Sequence, residues 1–80
     1  MTNLEKYNKI FIDAFGADPD HLEDLRYRKT EKWDSMAHMD LVSDLEEKFN
    51  IRFSTFDILN FTTYKKGIEI MTGYGVDFSK

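Results

Sequence analysis

The stretch "KWDSMAHMDLVSDLEEKFN", residues 32–50, decides the fold. Within it Met36, Met39, Leu41, Val42, Leu45 and Phe49 recur at the three- and four-residue spacing of an amphipathic helix. Asp34 or Ser35 stands at the N-cap, where a side-chain oxygen takes up an orphan backbone N–H. Asn50 suits a left-handed stop. The opposite face carries Asp40, Asp44, Glu46 and Glu47 against Lys48 alone. The pattern predicts a helix that opens at Ser35 and turns an acidic side outward.

Upstream, "NLEKYNKIFIDAFG" (3–16) places Leu4, Tyr7, Phe11, Ala14 and Phe15 on a helical period. Thr2 or Asn3 caps its start, and Gly16 suits the residue just past its end. Ala17 to Asp34 has a poor period; Asp18-Pro19 opens a turn, and Leu22, Leu25 and Tyr27 supply inward anchors for a long ordered loop. Downstream, Ser54 and Asp57 have capping-box spacing before the short apolar run "TFDILNF" (55–61). Thr62 is positioned to cap a last helix with Ile68 and Met71 inward and Gly73 as its stop. Tyr74, Val76 or Phe78 of an irregular tail would rest on the core. No segment reads as a strong strand. The expectation is an all-α fold, a small up-down four-helix bundle of three longer helices and one short one, forming a single domain over residues 1–80.

Composition bounds the function. The apolar share of 41% suffices for one modest core, and the absence of cysteine removes disulfides and thiolate metal sites. No histidine pair has metalloprotease spacing, so no metal site is expected. A net charge of −4 and a pI near 5.0 are the opposite of a nucleic-acid footprint and suit encounter with basic protein surfaces. No apolar run approaches the ~20 residues of a membrane span. The polar start "MTNLEKYNK" (1–9) is no signal peptide, and the chain reads as a complete, cytoplasmic monomer.

Ser35 admits three readings. As a plain N-cap it needs no further role. As a nucleophile with His38 three residues on, it lacks an orienting third group, a glycine-rich elbow and room for a substrate cavity. As a substrate for another enzyme, it sits at a reachable helix start, where orphan N–H groups and the helix dipole favour a phosphate on the hydroxyl. The acidic helix beyond would then steer a basic partner.

"DSM" (34–36) followed by "DLVSDLEEKFNI" (40–51) resembles the attachment region of acyl carrier proteins, where Asp-Ser-Leu precedes a helix ending in Leu-Glu-Glu-x-Phe. "FTT" (61–63) resembles the opening of that family's final helix, and the register from Asp34 to Met71 needs no gap. "WDSMAHMDL" (33–41) is similar to the Trp-Asp-Ser-Leu-Gly-His-Met variant of free-standing carriers of specialised pathways. The resemblance covers the second half of the chain; the first half matches in length and pattern only.

The resemblance implies a non-enzymatic carrier with no catalytic residue of its own. Ser35 would receive 4'-phosphopantetheine from coenzyme A through a phosphopantetheinyl transferase. An acyl-activating ligase would load the thiol, and an acyltransferase or synthase would receive the cargo. Asp34, Met36, Asp40, Glu46 and Glu47 match partner-contact positions, with core a fair alternative for Met36 and a solvated face for Glu46 and Glu47. Ala37, Ser43 and the apolar short helix, with Phe56, Ile58 and Leu59, depart from the pattern and point to dedicated partners; any of the last three that faces outward would form an apolar docking patch. An aminoacyl or D-alanyl carrier, or an interaction module of the same fold without a prosthetic group, are the alternatives. Trp33 is read as the anchor of the loop's end, its N–H finding a partner or water. His38 is read as exposed or half-buried, able to sit beside a phosphodiester, and His21 as surface.

Overall fold

A computed structural model describes residues 1–80 as an all-α chain. Its helices are α1 (Asn3–Phe15), α2 (Ser35–Phe49), α3 (Thr55–Asn60) and α4 (Tyr64–Gly73), with 3-10 turns over Pro19–Asp24 kinked at His21. The only strand-like contact is an isolated bridge between Arg26 and Thr63.

Each helix begins on the side chain that its local sequence supplies. Thr2 caps α1 in a reciprocal box: its hydroxyl accepts from Glu5 N–H, and Glu5 accepts from Thr2 N–H. Those bonds hold the Glu5 carboxyl below its usual range. Asp34 caps α2 by accepting from Ala37 N–H at 2.9 Å. Ser54 caps α3. Its expected partner Asp57 does not reach back to the Ser54 N–H. The Tyr74 hydroxyl stands between them, accepting from Ser54 N–H at 2.9 Å and donating to Asp57 Oδ2 at 2.5 Å. One tail residue thus closes the box for α3. The cap of α4 is Thr63 and not Thr62, because the Thr62 carbonyl is committed to Tyr27 N–H at 3.0 Å.

The helix ends also follow backbone requirements. Gly16 and Asn50 adopt left-handed conformations after α1 and α2. Gly73 does not stop α4; it lies within the helix. The chain turns at Gly75, with φ of +94°, where Val76 N–H reaches Met71 O and Gly75 N–H reaches Thr72 O. That is a Schellman closure, and it seats Val76 in the core beside Met71.

The core is aromatic. Tyr7 and Phe11 of α1, Trp33, Leu41 and Leu45 of α2, Phe61 and Met71 are fully buried. Phe11 packs edge-on against Trp33 and Tyr64, and Phe15 stacks on Trp33 at 5.0 Å. The inner face of α2 is His38, Leu41, Val42 and Leu45. Met36 and Met39, expected to continue the apolar stripe, face solvent; Ala14 of α1 does likewise. Leu22 is buried and Leu25 and Tyr27 half-buried, so the loop before α2 is held as its anchors suggested. Val76 is buried and Phe78 leans on Tyr7 and Phe49, so the tail does rest on the core.

Gly67 of α4 faces the Tyr7 hydroxyl of α1 and the Phe61 ring. A Cβ there would overlap the Tyr7 hydroxyl and the Phe61 ring. That hydroxyl donates to the Tyr64 carbonyl at 2.7 Å, and burial pushes its phenol well above the ordinary range, so it stays a donor. Gly67→Ala is expected to destabilise the fold by about 1–3 kcal/mol through overpacking, despite the ~1 kcal/mol gain in helix propensity. Gly73→Ala, with open space around it, is expected to be neutral or stabilising. Urea unfolding of the two variants checks the contrast.

Candidate functional site

The site is built around the junction of the long loop with α2. Asp34 N-caps the helix and Ser35 is its first residue, with an exposed side chain. What lies behind them fixes their position. Trp33 is completely buried, and its indole N–H donates to His38 Nδ1 at 3.0 Å. His38 Nε2 is 2.8 Å from the Ile58 carbonyl of α3. Because indole can only donate, His38 Nδ1 must accept, and the ring proton therefore sits on Nε2 and is given to Ile58. The Trp33 anchor thus finds its partner in a side chain.

This corrects the reading of His38 as an exposed or half-buried neighbour of a phosphodiester. The ring is 4% exposed, lies 4.4 Å from the Tyr27 ring in a near-parallel stack, and meets Phe61 edge-on. Periodicity carried the signal: position 38 falls on the inner face with Leu41, Val42 and Leu45. Reading histidine as polar hid it. With both ring nitrogens engaged, no base faces Ser35. The neighbour of Ser35 Oγ is the Tyr27 hydroxyl at 3.3 Å, a residue read from sequence only as an inward anchor.

The partner-contact candidates divide. Met36, Asp40 and Glu47 are exposed and share one face of α2, with Asp44 at its edge. Asp34 is exposed but committed to its cap. Glu46 lies off that face, half-buried, and its Oε2 accepts from Phe53 N–H at 2.8 Å, fastening the chain after α2. On α3 the outward residues are Phe56 and Leu59, 73% and 71% exposed, while Ile58 packs on the core. Met39, read as part of the apolar stripe, is more than half exposed.

Four surface grooves are present. The largest, about 480 Å³, runs between α1 and the C-terminal half of α2, lined by Lys6, Lys9 and Asp13 on one side and by Asp44, Glu47 and Lys48 on the other. A smaller one, about 220 Å³, opens beside Ser35. Of the core aromatics, only Trp33 lines any of the four, in the groove beside Ser35. No cluster of metal-binding side chains occurs, and no helix is long and apolar enough to cross a membrane.

No family model matches the chain, and no curated protein matches it.

Trp33→Phe keeps a ring in the core but leaves His38 Nδ1 buried without a donor. A loss of about 1–3 kcal/mol for the unpaired nitrogen, with a cavity term added, is expected in chemical denaturation.

Proposed function

We propose that the chain is an acyl carrier protein of a dedicated pathway, bearing 4'-phosphopantetheine on Ser35. The observation that carries this reading is the placement of Ser35. Its hydroxyl is exposed at the first turn of α2, within hydrogen-bond distance of the Tyr27 hydroxyl, on a junction held by Trp33 and His38. A group esterified to Oγ would displace no core side chain. The dipole at the helix start favours the phosphate's charge. The bound arm supplies a terminal thiol that holds acyl groups as thioesters, and tethering raises the cargo's effective concentration at a docked enzyme.

The surface around Ser35 supports partner docking. Asp40 and Glu47, with Met36, face outward along α2. Met39, Phe56 and Leu59 add exposed apolar side chains on α2 and α3. A basic-rimmed apolar surface on a transferase, a ligase or an acyltransferase fits such a combination. The non-catalytic role is supported by His38, whose ring nitrogens serve Trp33 and Ile58 and leave Ser35 without a base. The closed aromatic core favours short or polar cargo, and so keeps the aminoacyl carrier as the second reading.

Incubation with coenzyme A, magnesium and a broad-specificity phosphopantetheinyl transferase is expected to add one phosphopantetheine by intact mass, and Ser35→Ala to abolish it. An unmodified wild-type chain beside a fully loaded control carrier sinks the reading in favour of an interaction module.

Charge reversal of Asp40 and Glu47 to Lys is expected to slow loading at low salt by roughly tenfold while moving stability by under ~0.5 kcal/mol, as expected for exposed positions that steer encounter. Equal loading rates for variant and wild type, measured at low ionic strength, would remove the acidic face from the docking account.

A further inference from the structure

We infer that Tyr27 is a positioning residue for the modification of Ser35, holding the serine oxygen before the reaction and the phosphate after it. The inference rests on the carrier reading above. Tyr27 is fixed from three sides. Its N–H donates to the Thr62 carbonyl at 3.0 Å, which ties it to the junction of α3 and α4. Its ring stacks on His38 at 4.4 Å and lies 6.4 Å from Trp33. His38 is itself fixed at both nitrogens. The phenol therefore projects from a packed and hydrogen-bonded platform, and its hydroxyl stops 3.3 Å from Ser35 Oγ.

An exposed serine otherwise samples its staggered rotamers freely. A hydroxyl partner at fixed distance selects among them and aims Oγ. In the transfer, Ser35 Oγ attacks the phosphorus of coenzyme A that bears the pantetheine. A Ser35 O–P bond forms and the phosphoanhydride P–O bond breaks. Adenosine 3',5'-bisphosphate leaves with the electron pair, and the serine proton passes to a base of the transferase. Oγ then has no proton left to give. Tyr27 can both accept and donate, so its O–H turns to a phosphate oxygen once Ser35 is esterified.

The groove beside Ser35 does not substitute for this contact. Arg28 and Lys29 line it together with Glu31 and Asp34, so its formal charges balance. Tyr27→Phe leaves those four residues and the ring stack in place and removes one oxygen.

The deciding experiment uses the chain with phosphoserine installed at position 35, which needs neither transferase nor pantetheine. In a ³¹P titration, the second phosphate pKa of the Tyr27 protein is expected to lie about half a unit to one unit below that of Tyr27→Phe, because the phenol favours the dianion. In the unsubstituted phosphoprotein, the Tyr27 ¹³Cζ signal is expected to move with the same midpoint, a readout that survives even if Tyr27→Phe fails to fold. Equal midpoints in the two proteins, or a Cζ signal indifferent to the titration, overturn the proposal. In transferase assays Tyr27→Phe is expected to lower kcat by about 3–10-fold, the range of one net hydrogen bond, with KM within about twofold; an unchanged kcat also overturns it. A wild-type chain that no transferase loads refutes the carrier reading, while the phosphoserine titration still decides the Tyr27 contact.

Discussion

One buried imidazole joins three parts of this chain. His38 accepts from the Trp33 indole at the end of the loop and gives its proton to the Ile58 carbonyl on α3, while its own backbone belongs to the first turns of α2. Both bonds are needed. A ring nitrogen left unpaired in this core would cost about 1–3 kcal/mol, a large share of a small domain's stability. Every buried side-chain polar atom in the chain has a partner, and this is the one that unites loop, α2 and α3. The loop cannot drift from the helix start, nor α3 from α2, without breaking it.

From that link follows the division of α2 into an inner and an outer face. His38, Leu41, Val42 and Leu45 face inward, so Met36, Asp40 and Glu47 must face out. Phe56 and Leu59 stay outside because α3 is short and is held at its start by the Tyr74–Asp57 closure and in its middle by the Ile58 carbonyl. Exposed apolar side chains that a core this aromatic has no room for are a surface feature, and they lie on the elements that carry Ser35 and its scaffold. Glu46 shows the reverse. An acid that reads as part of the outer face is spent on Phe53 N–H.

Much of this was legible in the sequence because it depends on local chemistry. The starts of α1, α2 and α3 follow from Thr2, Asp34 and Ser54, and the left-handed ends from Gly16 and Asn50, since each cap needs only its neighbours in the chain. The exposed place of Ser35 at the start of α2 was legible for the same reason. What escaped depends on distant partners. Thr62 loses the cap of α4 because its carbonyl is claimed by Tyr27, thirty-five residues away. Asp57 is diverted by Tyr74. His38 falls on the inner period of α2, but that a histidine can be buried there depends on the groups that Trp33 and Ile58 supply, which the period does not record. The outward turn of Met36 and Met39 is the same fact seen from the other side.

On the proposed carrier reading, the way the core is filled also bears on cargo. Tyr7, Phe11, Trp33 and Phe61 meet ring against ring, and Gly67 lets α4 approach until the Tyr7 hydroxyl and Phe61 fill the place of a side chain. A close-packed aromatic interior opens only by moving several rings at once, since a void forfeits contacts on all its walls. The Tyr7 hydroxyl adds to the cost of opening, because parting α1 from α4 breaks its bond to Tyr64. A long acyl chain on Ser35 would gain by entering an apolar interior, at roughly 0.8 kcal/mol for each methylene buried. Here it would first have to part the rings that support Trp33, and with them the His38 link that presents Ser35. Sheltering the cargo and presenting the serine compete for the same side chains. If Ser35 bears the proposed arm, this packing favours a cargo that stays outside the core, with the apolar contacts supplied by the docked partner.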